Sequence, residues 1–229
     1  MLDDRSAGLA GASGFRALDY SQAMGAILAT ERLARRFRDR EVVRSLTLAA
    51  DPGDRVALYG PNGSGKTTVL RCLAGTLAPS AGSIAIAGHE AGSMEARRLV
   101  GASLAQERSF YFRLTGRANL LFFARLRHGS SRTAVRDVDE LIEELELADI
   151  ARERVDRCST GMIQQIAFAR ALLGDPSLLL LDEPTRSLDR DARARVWAAL
   201  DRRPHAAALI ATHLDEDLGR CGTRIDFPT

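Results

Sequence analysis

Lysine is almost missing from this sequence of 229 residues: of its 32 basic residues, all but Lys66 are arginine. Positive charge is supplied by guanidinium nearly everywhere, which excludes reading Lys66 as one more solubilising side chain. A compact ammonium is required at that position. Cysteine is scarce as well. Cys72, Cys158 and Cys221 are odd in number and widely spaced, which excludes a disulfide framework or a paired zinc site, and His89, His128 and His205 add no metal-ligand spacing to them. A reducing, cytosolic setting is expected. No apolar run approaches the roughly 18 to 20 residues of a membrane span; the runs include Leu178 to Leu181 and Ala206 to Ala211. Any role at a membrane must come through a partner. The formal net charge is only +2, so no nucleic acid partner is expected.

Hydrophobic residues make up 45% of the chain and charged residues 27%, which excludes a disordered polypeptide and predicts one sizeable core with a subdomain attached. Residues 1–25 are rich in Gly, Ala and Ser, and their Asp3, Asp4 and Arg16 are wrong for a secretory signal. They read as a flexible arm before a domain over 26–229. Residues 26 to 50 read as short strands around a polar turn. A buried strand follows from Arg55 to Tyr59, then a glycine loop and a helix from Thr67 to Ala74, then strands at Ser83 to Ala87 and Leu99 to Ala105. From Thr115 to Leu147 the pattern turns to two amphipathic helices, within a helical insertion expected over about 107–165. A helix from Met162 to Leu173, a strand from Leu178 to Leu181, a helix from Ala192 to Asp201, a strand from Ala206 to Thr212 and a last strand near Thr223 to Phe227 complete the reading. Strands alternating with helices predict an α/β fold on a largely parallel, covered sheet.

Gly60-Pro61-Asn62-Gly63-Ser64-Gly65-Lys66-Thr67, with Thr68 beside it, matches G-x-x-x-x-G-K-[ST] between a strand and a helix. Glycines in that pattern let backbone N–H groups close around phosphate oxygens. Lys66 reaches the β- and γ-phosphates of a nucleotide, and the Thr67 hydroxyl is placed for Mg²⁺. Downstream, the apolar run Leu178 to Leu181 ends in Asp182-Glu183, which puts two carboxylates at the C-terminal edge of a parallel sheet, where ligands bind. Asp182 is the candidate support for Mg²⁺ and Glu183 the candidate for polarising the attacking water.

These residues, with Cys158-Ser159-Thr160-Gly161-Met162 and the segment through Leu172 that follows, resemble the nucleotide-binding domain of ABC transporters. The resemblance covers residues from about 26 to 217 and implies a P-loop NTPase core of the RecA-like kind, with a small N-terminal antiparallel β part and an inserted helical subdomain. Ser159, Thr160 and Gly161 fall on the family's signature loop, usually LSGGQ. The departures at Cys158, Thr160 and Met162 resemble the S-x-G-M form of ABC-2-type exporters. A serine and a glycine at a helix N-terminus suit an anion; in the family it is the γ-phosphate held by the opposite subunit. The resemblance also implies a Q-loop role for Gln106 in sensing Mg²⁺ and the attacking water, a switch role for His213 and a D-loop around Asp189, where Arg186-Ser187 replace the usual Ser-Gly. Phe37 falls where the family stacks an aromatic on adenine; a core phenylalanine is the competing reading. Ser109-Phe110-Tyr111-Phe112 either line a groove for a membrane subunit or pack within the helical insertion. Cys158 precedes a helix N-terminus but is assigned no catalytic role.

The function so implied is an ATP-binding and hydrolysing subunit with ATP and Mg²⁺ as ligands. Its partners are a second ATPase subunit, taken as another copy of the chain, and an integral membrane permease subunit. It works at the cytoplasmic face of a membrane, in export. The short stretch after His213 implies no appended regulatory domain. An ABC-type ATPase acting outside transport, a small-molecule P-loop kinase and a low-activity half of a heterodimer are the alternatives.

Overall fold

The computed structural model describes residues 25–104 and 109–227; the arm expected over 1–25 lies, except for its last residue, outside them. The chain opens with two antiparallel strands, β1 (Leu28–Phe37) and β2 (Arg40–Ala50), which are ten and eleven residues long where the sequence suggested short ones. With β4 (Ala81–Ile86) and β5 (His89–Glu90) they form a four-stranded sheet in the order β2-β1-β4-β5. The second sheet comprises β3 (Arg55–Tyr59), β6 (Val100–Ser103), β7 (Leu178–Asp182), β8 (Ala207–Thr212) and β9 (Thr223–Asp226) in the order β6-β7-β8-β3-β9, and every pairing in it is parallel.

All residues of β7 and β8 are buried, because helices and the first sheet cover both faces of this sheet. Leu179, Leu181, Ala208 and Ile210 join an apolar cluster with Leu120, Val138, Phe168 and Trp197, whereas Leu178, Leu180, Ala207, Leu209 and Ala211 join another with Leu28, Leu48, Val69 and Leu70. The two sets alternate along each strand, as the period of two requires, so β7 and β8 form the wall between the two halves of the core.

The longer helices follow the apolar spacing. Two of them, α1 (Lys66–Leu73) and α2 (Met94–Leu99), belong to the first half of the chain. Next come α3 (Gly116–His128), α4 (Ser131–Glu144), which buries Ala134, Val138 and Leu141, and α5 (Ala148–Arg152). The last three are α6 (Thr160–Leu172), α7 (Arg190–Asp201) and α8 (Asp215–Leu218). The strand expected from Leu99 starts one residue later because α2, N-capped by Ser93 through Ala96 N–H, ends at Leu99. Six residues reading MEARRL are too short to show a helical period, and the cap is what starts the turn.

Candidate functional site

The glycine loop joins β3 to α1. Gly65 stands at the N-cap of α1 with φ +109, and a Cβ there would lie 2.8 Å from the Val42 carbonyl oxygen. Only glycine meets both demands, and the first N–H groups of α1 are thereby aimed out of the loop. Lys66 is 5% exposed, and its ammonium donates to the carbonyls of Gly60 (2.6 Å) and Pro61 (3.0 Å). The charge so held lies under the loop, at the positive end of the α1 dipole. One pocket is lined by Asn62, Lys66, Thr67, Thr68, Asp182, Glu183 and Arg186 among others, so the loop and the carboxylate pair share a single cavity.

Within it the Thr67 hydroxyl donates to Asp182 Oδ2 at 2.7 Å. That places two hard oxygens together although the residues are far apart in sequence. Mg²⁺ is well suited to such a pair, since it takes one or two protein oxygens and completes its shell from phosphate and water. Asp182 and Glu183 are 4% and 8% exposed. Glu183 adopts φ +50, a left-handed conformation costly for a residue with a Cβ. Three bonds hold its backbone there: its N–H donates to the Ala211 carbonyl at 2.8 Å, and its carbonyl accepts from Gln164 Nε2 of α6 at 3.2 Å and from Arg186 N–H at 3.1 Å. His213 Nδ1 lies 2.7 Å from Glu183 Oε1, so with the glutamate ionised the imidazole donates to it. Glu183 Oε2 is buried with no hydrogen-bond partner among the described residues. An acceptor so placed costs about 1–3 kcal/mol, and its chemistry fits a water molecule whose proton it could take.

Several residues that the sequence did not single out hold this arrangement. Thr185, two residues after Glu183, donates its hydroxyl to both oxygens of Asp217 (2.9 and 2.8 Å), and Thr212, one residue before His213, donates to Asp217 Oδ2 at 2.8 Å. Asp217 is 2% exposed, so one buried carboxylate ties the Glu183 loop to the His213 loop. Tyr59, at the end of β3, donates to Asp215 Oδ1 at 3.1 Å and anchors the His213 loop beside the glycine loop; that bond raises the Tyr59 pKa. In the sequence, only the spacing of Asp217 from His213 could have signalled this role.

The turn at Ser159 lies elsewhere. Ser159 N-caps α6, accepting from Met162 N–H at 3.2 Å, and Met162 Sδ accepts the Ser159 N–H at 3.4 Å, so the sulfur stands where a capping box has a carboxylate or amide. Ser159 and Thr160 are exposed, and none of residues 159–162 lines the pocket of Lys66. Gly161 packs against the loop before α7, and a Cβ on it would come 2.6 Å from the Ser187 carbonyl oxygen. Asp189 N-caps α7 through Ala192 N–H at 2.8 Å. Cys158 has its thiol pKa raised by burial and then by Glu153 and Asp156, which leaves it unactivated.

Ser187 adopts φ +63, so the loop keeps a glycine-like conformation without glycine. The left-handed cost of about 1–2 kcal/mol exceeds the extra chain entropy of glycine, about 0.5–1 kcal/mol. Ser187→Gly is expected to stabilise the fold by about 0.5–1 kcal/mol, measured as a higher urea midpoint; a lower one would mean that the serine side chain holds the loop.

Phe37 is 43% exposed, with the Arg35 guanidinium 4.5 Å from its ring centroid, so the core reading does not hold for it. Gln106 lies outside the described residues. Phe110 is buried against Arg170, whose pKa burial lowers to about 10, while Tyr111 and Phe112 face solvent.

The model of the ABC transporter family matches residues 43–186. The daunorubicin resistance ATP-binding protein DrrA3 of Streptomyces coeruleorubidus is 40% identical over 164 residues, 71% of this chain and 52% of that protein. The Nod factor export ATP-binding protein I of Neorhizobium galegae is 36% identical over 192 residues, 82% of this chain and 55% of that protein. The chain therefore spans little more than half the length of these curated relatives. The dimeric structure of a bacterial ABC transporter cassette shares the fold, with a TM-score of 0.80 at 21% identity, covering 87% of this chain and 94% of that one. A phosphate-type loop joined to a carboxylate-ended strand on this sheet order, matched over most of the described residues, is not an isolated motif coincidence: the chain belongs to the ABC transporter family.

Proposed function

We propose that the chain binds Mg²⁺-ATP and hydrolyses it as one half of a head-to-tail dimer. In this reading the dimer drives a separate integral membrane permease subunit at the cytoplasmic face of a membrane, in the export direction. One observation carries the dimer: the two anion-seeking helix ends of the chain, at Lys66 and at Ser159, do not share a cavity. A nucleotide in the pocket of one copy therefore needs a second copy to present Ser159 and Gly161 to its far side. Export is favoured by the names of the relatives, which speak of drug resistance and Nod factor export. The exposed Tyr111, Phe112 and Phe122 offer an apolar surface to a membrane subunit. The helical insertion would carry that surface.

Thr67 and Asp182 would hold Mg²⁺, which would offset the negative charge of the phosphates. Phe37 presents a ring face to adenine. Lys66 turns its ammonium from loop carbonyls to the β- and γ-phosphates, and the N–H groups of Gly63 to Thr68 surround them. Glu183, held at Oε1 by His213, takes a proton from water at Oε2 as the water oxygen bonds to the γ-phosphorus. The bond to the ADP oxygen breaks as the new one forms, releasing ADP and phosphate. His213 and Lys66 stabilise the charge on the phosphoryl oxygens. Gln106 would report the state of the site.

Turnover per chain, measured with Mg²⁺-ATP, is expected to rise steeply with protein concentration and to level off once dimers predominate. Turnover that is flat in concentration would sink the shared site and favour a heterodimeric or non-transport role. Co-purification with an integral membrane protein tests the transport arm.

A further inference from the structure

Arg186 follows Pro184 and Thr185 in the loop after β7, and it lines the same pocket as Lys66, Thr67, Asp182 and Glu183. Its backbone is fixed on both sides. Its N–H donates to the Glu183 carbonyl at 3.1 Å, Thr185 before it is tied to Asp217, and Ser187 after it lies left-handed with its carbonyl against Gly161. The side chain is treated otherwise. Arg193 and Arg195, on the helix that follows, pair with Glu216 at 2.6 Å and Glu146 at 3.2 Å, whereas the exposed guanidinium of Arg186 has no hydrogen-bond or ion-pair partner among the described residues. What sets Arg186 apart from other exposed arginines is its place in this pocket, where an unpaired fork on a fixed base suits an anion.

The charge of the pocket points the same way. Besides Lys66, whose ammonium already donates to two loop carbonyls, Arg186 is the other cation lining it, and two buried carboxylates face it. A nucleotide triphosphate brings its excess charge to the terminal phosphate, where a planar guanidinium can donate two parallel hydrogen bonds. We infer that Arg186 is a contact of the chain's own nucleotide, donating to the terminal phosphate and making the site distinguish a triphosphate from a diphosphate. The inference rests on the ATP-binding reading. It assigns a role to a position where the resemblance leads to a neutral serine.

Equilibrium binding of a non-hydrolysable ATP analogue and of ADP, each with Mg²⁺, tests it on the full chain with Arg186→Ser, Arg186→Lys and Lys66→Ala. Loss of a charge-assisted hydrogen-bond pair is worth about tenfold or more in affinity. Arg186→Ser is expected to weaken the triphosphate analogue about tenfold and ADP less than about twofold, with Arg186→Lys between. Equal weakening of both nucleotides, or of neither, overturns the inference. So does a loss seen only at concentrations where dimers form, which would give Arg186 to the second copy's nucleotide. The native chain and Lys66→Ala separate the two levels of argument: if the native chain binds neither nucleotide, the ATP-binding reading itself fails, and if Lys66→Ala binds both as tightly as the native chain, the nucleotide is not held in this pocket; either result removes the role of Arg186.

Discussion

Replacing Glu183 with glutamine is expected to lower ATP turnover by about 10²–10⁴-fold, the contribution typical of a positioned general base, while nucleotide binding is kept and an ATP-bound dimer accumulates. The substitution is nearly isosteric, so the β7 edge, the left-handed backbone and the hydrogen bonds to Ala211 and Gln164 stay in place. The amide oxygen can still accept from His213 at the position of Oε1. What disappears is the second oxygen, which is buried and unpaired among the described residues. An NH₂ group there donates and cannot take a proton from water. Single-turnover hydrolysis, compared with nucleotide affinity and with the dimer fraction by size-exclusion chromatography, checks all three parts. A turnover loss below about tenfold would remove Glu183 from the base role.

Asp217→Ala is expected to cost about 3 kcal/mol of stability or more and to lower turnover even in the fraction that folds. The Thr185 and Thr212 side chains are buried, and both give their hydroxyl protons to this carboxylate. Each stranded hydroxyl costs about 1–3 kcal/mol, before any cost of the cavity. The Thr212 hydroxyl also accepts from Leu214 N–H, so its displacement moves the backbone next to His213. Asp217→Asn keeps one acceptor oxygen and should fall between alanine and the native residue. Urea denaturation gives the stability, and kcat measured below the unfolding transition gives the functional part. A loss under about 1 kcal/mol with kcat unchanged would show that the two loops are held by other contacts.

How far the sequence reached depends on how local each feature is. The glycine loop, α1 and the run into Asp182-Glu183 were legible because each is a contiguous pattern whose chemistry lies in neighbouring residues. The apolar spacing of α4 and the continuous hydrophobicity of β7 and β8 were legible because periodicity records which face is covered. Met94–Leu99 escaped as a helix, being shorter than two turns and set by its Ser93 cap. The length of β1 and β2 escaped because exposed arginines and irregular pairing blur their alternation.

The sequence by itself therefore determined the parallel α/β core and most of the catalytic candidates, since patterned burial and short motifs are written residue by residue. Tertiary structure alone decided which polar groups meet. It placed Thr67 on Asp182, His213 on Glu183, Thr185 and Thr212 on Asp217, and Arg186 in the pocket with Lys66. It also brought Phe37 to the surface under Arg35 rather than into the core. The physical reason is the same in each case. An apolar side chain gains from almost any dry neighbour, so its fate follows from pattern, whereas a buried carboxylate or hydroxyl is tolerated only beside a particular partner, which chain folding supplies from a distant segment.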